Sequence, residues 1–244
     1  MPHPPSPPPL AELLVAEPLA LFLDFDGTLI ELAEGPDEIR LDDGLRPLLT
    51  ALSERLESRL AIVSGRSVEW LHAQGLGDHA LSGTHGSELR LAGGALERPE
   101  RPALLDEVEA AFATFAGARP GVIVERKPLA AGLHFRRVPE HEDAAHTFAA
   151  EWAERSRLAV QKGKMMVELR LPGGGKGEAV RAMMEQAPFA GARPVFIGDD
   201  VTDEDGFRAA REHGGFGITV GERDSEAARY RLAGVKEVHR WLTL

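Results

Sequence analysis

The sequence predicts an α/β protein, a Rossmann-like parallel-sheet core interrupted by an inserted α+β cap. Short apolar runs alternate with amphipathic stretches along most of the chain, the pattern of strand–helix–strand units on a parallel sheet. Three of these runs, Leu19–Phe25, Leu60–Ser64 and Pro194–Gly198, end in small or acidic polar clusters. Between Pro99 and Pro172 the order changes to helix, two strands, helix, two strands, a duplicated αββ unit.

The chain begins with a proline-rich stretch, residues 1–9, expected to be a disordered or polyproline-like tail because proline lacks a backbone donor and favours extended conformations. The core is expected over residues 10–98 and 173–244, with the cap over 99–172. Within the cap, helical spacing marks Leu104–Phe115 and Glu140–Ser156. Its strand candidates are Val122–Lys127, Ala131–Arg136, Leu158–Gln161 and Met165–Arg170. A core helix is expected to resume over Gly177–Gln186.

At 244 residues, with 43% hydrophobic and 27% charged residues, the composition is that of an ordinary globular protein able to bury a large core. A net charge of -11 repels nucleic acid and anionic lipid surfaces, which argues against both as partners. With no cysteine there is neither a disulfide framework nor a thiolate metal site. The N-terminus lacks the basic start and apolar run of a signal peptide, and no stretch approaches the ~20 apolar residues of a membrane span. A cytoplasmic monomer acting on a small molecule is the expectation.

The most specific motif is Asp24-Phe25-Asp26-Gly27-Thr28-Leu29, directly after the apolar run Leu19–Leu23. Two acids leaving a buried strand are costly unless they are paired or bind a cation. At positions i and i+2 they suit separate roles: Asp24 as nucleophile toward phosphorus, Asp26 as general acid and then base. The second motif is Gly198-Asp199-Asp200-Val201-Thr202-Asp203-Glu204, again after a strand. Hard dications select carboxylate and carbonyl oxygens, so Asp24, the backbone carbonyl of Asp26, and Asp199 are the candidate ligands for Mg²⁺. Asp200 and Asp203 are expected to orient those ligands. An acid-rich helix start accounts for Asp203 and Glu204 equally well, but not for the Gly-Asp-Asp at the strand end.

An acidic protein that binds a phosphate ester must concentrate positive charge locally. Ser64-Gly65-Arg66 offers a hydroxyl, backbone N–H groups and a guanidinium, although Ser64 reads equally well as a helix cap. Lys176 follows three glycines, but the spacing fails the nucleotide P-loop pattern because Arg170 stands where its first glycine belongs. Lys176 is instead a candidate phosphate ligand.

In chain order, the Asp24–Leu29 box, Ser64, Lys176 and the Gly198-Asp199-Asp200 box resemble the haloacid dehalogenase superfamily of phosphatases. Asp at the second acidic position fits the phosphatases, whereas the P-type ATPases of the same superfamily carry Thr there. Within the superfamily, Val63-Ser64-Gly65-Arg66, Gly83-Thr84-His85-Gly86-Ser87-Glu88 and the acidic motif at 198–204 look like those of the trehalose-6-phosphate phosphatases. The resemblance implies a C2-type cap, an aspartyl-phosphate intermediate and a sugar-phosphate substrate. It also implies that Glu125, Lys127, Arg136, Lys164 and Glu168 bind the sugar. Strand parity places Glu125 with Lys127, His134 with Arg136, and Lys164 with Glu168 on one sheet face. The glycine triplet before Lys176 is looser than the family's usual approach to this lysine. A phosphatase for another sugar phosphate, such as sucrose phosphate or mannosyl-3-phosphoglycerate, a phosphomutase and a catalytically inactive sugar-phosphate binder are the alternatives.

Overall fold

A computed structural model describes residues 4–32, 41–163 and 165–243. The chain divides into two compact units. The first unit's described residues are 4–32, 41–98 and 174–243, and the second comprises Pro99–Gly173.

The first unit begins α1 (Leu10–Ala16), β1 (Leu19–Leu23), α2 (Leu45–Arg55), β2 (Leu60–Val63) and α3 (Val68–Leu71). It continues through β3 (Ala80–Gly83) and β4 (Glu88–Arg90). The second unit follows with α4 (Leu104–Gly117), β5 (Ile123–Lys127), β6 (Ala130–His134), α5 (Glu142–Ser156), β7 (Ala159–Gly163) and β8 (Met166–Arg170). The first unit then resumes with α6 (Lys176–Met184), β9 (Arg193–Gly198), α7 (Asp203–Glu212), β10 (Phe216–Val220), β11 (Ala228–Leu232) and α8 (Val235–Leu242).

Seven strands of the first unit pair in the order β11-β10-β9-β1-β2-β3-β4, parallel except for the β3–β4 edge. Every residue of β1 and β2 is buried, which is why each reads as an unbroken apolar run rather than an alternating one. Ala20 and Phe22 of β1 join Ala61, Val63 and Phe196 in a core completed by apolar residues of α6 and α7. The sequence order reverses at β1: the chain moves to β2 and β3 on one side and returns to β9, β10 and β11 on the other. Ligands of open α/β sheets bind beyond the carboxyl ends of strands at such a reversal.

In the second unit, four antiparallel strands pair in the order β5-β6-β8-β7. Ala131, Leu133, Val167 and Leu169 turn toward a core shared with Leu105, Val108 and Phe112 of α4 and Ala145 and Ala149 of α5. By the two-residue period of strands, Glu125, Lys127, His134 and Glu168 therefore lie on the opposite face. Strand β6 ends at His134, two residues before the expected end, and Arg136 sits exposed in the following turn. Parity along a strand no longer fixes the direction of Arg136.

Part of the proline-rich N-terminus packs on the first unit. Arg231 of the edge strand β11 donates its backbone N–H to the Pro5 carbonyl at 3.0 Å, and Trp241 Nε1 donates to the Pro8 carbonyl at 2.8 Å. Pro7 is buried. Proline lacks a donor but keeps its acceptor, so the segment can satisfy N–H groups on a sheet edge while offering, over residues 4–9, only that of Ser6 for further pairing.

Candidate active site

The motif after β1 is placed by the sheet. The Asp24 N–H donates to the Ile197 carbonyl of β9 at 2.9 Å, which holds Asp24 at the carboxyl end of the central strand. The chain then turns sharply: Gly27 has φ +83°, and a Cβ there would stand 2.4 Å from an Asp199 carboxylate oxygen. Asp199, at the end of β9, thus packs directly over the turn that carries Asp24 and Asp26.

Lys176, the first residue of α6, is buried and reaches both strand-end motifs. Its Nζ lies 2.6 Å from Asp24 Oδ1 and 2.6 Å from Asp203 Oδ1. The glycine triplet makes this placement possible. Gly174 has φ +67° with Ser87 Oγ 2.6 Å from a would-be Cβ, and the Gly175 carbonyl lies 2.1 Å from one built on Gly86. Side chains at these positions would push the loop, and Lys176 with it, away from Asp24.

Burial pushes the Asp24 pKa well above the ordinary carboxylate range; Asp203 and Asp199 add to the rise and Lys176 opposes it. Asp203 is raised too, by burial first, against the pull of Lys176 and of a hydrogen bond from the backbone of Asp200. Burial works to lower the Lys176 pKa, but the two carboxylates outweigh it and the net direction is upward. The lysine therefore stays charged.

Carboxylate oxygens of Asp24, Asp199 and Asp203 lie within 4.8 Å of one another. The donor set is all oxygen, as a hard dication requires. The residues fit Mg²⁺. Asp203 was expected only to orient ligands, but its carboxylate stands within the cluster and binds the lysine. Asp200 turns to its own backbone: its Oδ1 accepts the Val201 N–H at 2.8 Å, and its N–H donates to Asp203 Oδ2 at 2.7 Å.

On the other side of β1, the Ser64 Oγ accepts the Arg66 N–H at 3.0 Å, and Ser67 rather than Ser64 caps α3, accepting the Trp70 N–H at 3.1 Å. The Arg66 guanidinium forms a two-point fork on Asp26, with Nε and Nη2 at 3.0 and 2.9 Å, and stacks over the Trp70 ring at 4.9 Å. A Cβ on Gly65 would meet the His85 ring at 2.6 Å. The sequence reading assigned no role to the segment Gly83–Glu88, and the structure supplies a physical one. Thr84 and His85 both adopt positive φ, an unusual strain for residues with side chains. Buried Glu88 holds the turn by accepting the Thr84 hydroxyl at 3.1 Å and the Val68 N–H at 2.8 Å.

In the second unit, Lys127 Nζ pairs with fully buried Glu168 and lies 3.6 Å from Glu125 Oε2. His134 Nε2 completes the cluster at 2.8 Å from Glu125 Oε2. Lys127, Glu125, Glu168 and His134 thus form one charge network on this face. Sequence reading noted the parity of His134 but gave it no part; its register beside Ile123, two pairs from Glu125 and so on the same face, is what brings it in. Lys164 lies outside the described residues.

A parallel sheet whose order reverses at a strand followed by Asp-x-Asp, with a buried lysine bridging to a second acidic motif, is the arrangement that the resemblance to the haloacid dehalogenase superfamily implies. A phosphatase of that superfamily, BT1666 from Bacteroides thetaiotaomicron, shares the fold with a TM-score of 0.61 over 91% of this chain and 92% of its own, at 14% identity. The trehalose-phosphatase family profile matches residues 22–236, and the chain belongs to that family. It is 38% identical to the trehalose-6-phosphate phosphatase of Escherichia coli (strain K12) over 228 residues, 92% of this chain and 85% of the relative. A probable trehalose-phosphate phosphatase of Sinorhizobium fredii is 37% identical over 206 residues, 83% of this chain and 77% of the relative. A solved trehalose-6-phosphate phosphatase related protein matches with a TM-score of 0.73 at 28% identity, covering 92% of this chain and 95% of that one.

Proposed function

We propose that the chain hydrolyses trehalose 6-phosphate to trehalose and phosphate, as a Mg²⁺-dependent phosphoric monoester hydrolase working through an aspartyl-phosphate. The observation that carries this reading is the contact of Lys176 with Asp24 at 2.6 Å, at the point where three strand-end motifs meet. Family membership and the relatives' names supply the substrate.

In this reading an Asp24 carboxylate oxygen attacks phosphorus in line with the sugar oxygen, and the bond from phosphorus to that oxygen breaks. Asp26 gives its proton to the departing oxygen, then takes one from the water that cleaves the aspartyl-phosphate and restores Asp24. Lys176 orients Asp24 and offsets charge on the phosphoryl oxygens, with the Ser64 hydroxyl and the Gly65 N–H as further donors. Arg66 is held by Asp26 in the free protein; the incoming phosphate competes for the guanidinium and releases Asp26 for proton transfer. Asp24, Asp199 and the carbonyl of Asp26 would hold Mg²⁺, which neutralises charge on the transferring group.

The second unit is read as the cap that closes over the sugar, with Glu125, Lys127, Arg136, Lys164 and Glu168 as its hydroxyl partners. The paired charges of Lys127, Glu125 and Glu168 support that role, because sugar hydroxyls need donors and acceptors side by side. One chain supplies the whole acidic cluster, which supports a monomer as the working unit. The net charge of -11 disfavours nucleic acid as a partner, and a cysteine-free chain has no use for an oxidising compartment, which supports a cytoplasmic setting.

Phosphate release from a panel of sugar phosphates, with Mg²⁺ and with chelator, tests the reading. Trehalose 6-phosphate is expected to lead the panel and to depend on the metal. Faster release from sucrose phosphate or mannosyl-3-phosphoglycerate would reassign the sugar. Isomerised product without net phosphate would indicate a mutase, and binding without turnover an inactive sugar-phosphate binder.

A further inference from the structure

The loop that follows β10 holds a residue that none of the four motifs contains. Arg223 Nε donates to the Asp199 carbonyl at 3.2 Å, and its Nη2 donates to the Asp200 carbonyl at 3.0 Å. The same Nη2 lies 2.9 Å from Glu204 Oε1, while Nη1 donates to the Asp224 carbonyl at 2.8 Å. Each guanidinium nitrogen is thereby engaged. Glu204 is buried, and its other oxygen accepts the Ala227 N–H at 3.0 Å, so the carboxylate ties the far end of the same loop to α7.

The two carbonyls held by Arg223 belong to the backbone that leaves β9 and carries the Asp199 side chain. Fixing two consecutive carbonyls restricts that backbone, and with it the direction of the carboxylate packed over Gly27. A planar fork with five donors can span both carbonyls and a carboxylate; a single ammonium cannot. We propose that Arg223, held by Glu204, is a positioning residue that sets the Asp199 carboxylate for the metal, acting through the Asp199 and Asp200 carbonyls. The inference rests on the metal role assigned above to Asp199.

A loop staple of purely structural value would lower stability without changing the metal concentration the protein needs. The test is therefore a Mg²⁺ titration of the full chain, read both by the shift in melting temperature and by phosphate release. In Arg223→Ala the half-saturating Mg²⁺ concentration is expected to rise by about tenfold in both readouts, the lower end of the loss usual when a ligand's supporting partner is removed. The KM for trehalose 6-phosphate at saturating Mg²⁺ is expected to stay within twofold. Arg223→Lys, which keeps the charge but not the fork, is expected to recover only part of the loss, and it decides the matter if the alanine variant fails to fold. Wild-type half-saturation in the variants, whatever their melting temperature, overturns the inference while leaving the proposed function standing. A wild-type protein whose melting and turnover both ignore Mg²⁺ overturns both.

Discussion

Replacing Lys176 by methionine tests the electrostatics of the site through stability, with no reference to turnover. Lys176 is only 4% exposed, and its ammonium makes two 2.6 Å bonds, to Asp24 at 3% and Asp203 at 0% exposure. Methionine fills similar space but leaves two carboxylates facing each other with no counter-charge. Removing one partner from a buried ion cluster costs about 3–5 kcal/mol. With a urea slope of about 3 kcal/mol/M, the midpoint is expected to fall by about 1–1.7 M at pH 7 in chelator. The loss has a definite pH dependence. Asp24 and Asp203 already titrate above their unfolded values, and removal of Lys176, which pulls both down, drives them further up. Groups with raised folded pKa values contribute stability that is complete below the unfolded value, about 4, and lost as pH rises through the folded one. The deficit of the variant relative to wild type therefore shrinks as pH falls from 7 to 5. Trp70 and Trp241 lie in the first unit and Trp152 in the second, so a Trp152→Phe background makes tryptophan fluorescence report the unit that holds Lys176. A midpoint shift below about 0.3 M, or a deficit equal at pH 7 and pH 5, refutes the claim that Lys176 compensates these acids.

Asp24→Asn is expected to lower phosphate release by about 10⁴-fold or more, since it removes the nucleophile; turnover near wild type in purified protein would remove Asp24 from that role. Gly27→Ala combines an unfavourable φ of +83° with a Cβ 2.4 Å from the Asp199 carboxylate. A stability loss above about 1 kcal/mol by urea melting is the expected result, together with a raised Mg²⁺ requirement, and a neutral variant would mean that the turn relaxes. Burial holds the His79 imidazole below its ordinary pKa of 6.5, with Asp78 opposing. A depressed folded pKa gives stability present above the unfolded value and lost as pH falls through the folded one, so wild type should lose more stability than His79→Gln between pH 8 and pH 5. Parallel curves would show that His79 protonates without penalty.

The parts of the fold that could be read in the sequence are those whose burial is complete. β1, β2 and β9 are central parallel strands, so their apolar runs are continuous and their ends are marked by the polar residues that follow. The end of β6 was missed because apolar Phe135 continues the pattern into a turn, where the residue is buried without being in a strand. Position after apolar runs singled out Asp24 and Asp199, and position after three glycines singled out Lys176, but neither says which acid a base meets. Lys176 contacts Asp203 across 27 positions and Arg66 contacts Asp26 across 40, distances at which no local period operates. Arg223 left no mark, lying in an unpatterned loop, and Glu204, although inside the second motif, reads as one more acid at a helix start.

That helix start was open to a bland reading in which Asp203 and Glu204 merely complement the helix dipole, and Asp205 follows them in the same turn. Successive helical residues point about 100° apart, so three acids in a row cannot share one partner. Asp203 goes to Lys176, Glu204 to Arg223, and Asp205 accepts the Gly177 N–H at 2.9 Å, pinning the start of α6 behind Lys176. The first turn of α7 therefore holds the lysine, the helix that delivers it and the arginine that holds the Asp199 backbone. This connects with the charge of the site. Asp24, Asp26, Asp199 and Asp203 are four carboxylates around two cationic side chains, Lys176 and Arg66, and both cations are already paired with acids. A phosphate dianion approaching that arrangement meets a formal excess of two negative charges, which a single dication cancels. Chelator should accordingly weaken binding of the ester itself as well as its turnover; unchanged binding of a non-hydrolysable phosphonate analogue of trehalose 6-phosphate to the wild-type chain in chelator would place the needed positive charge elsewhere in the chain.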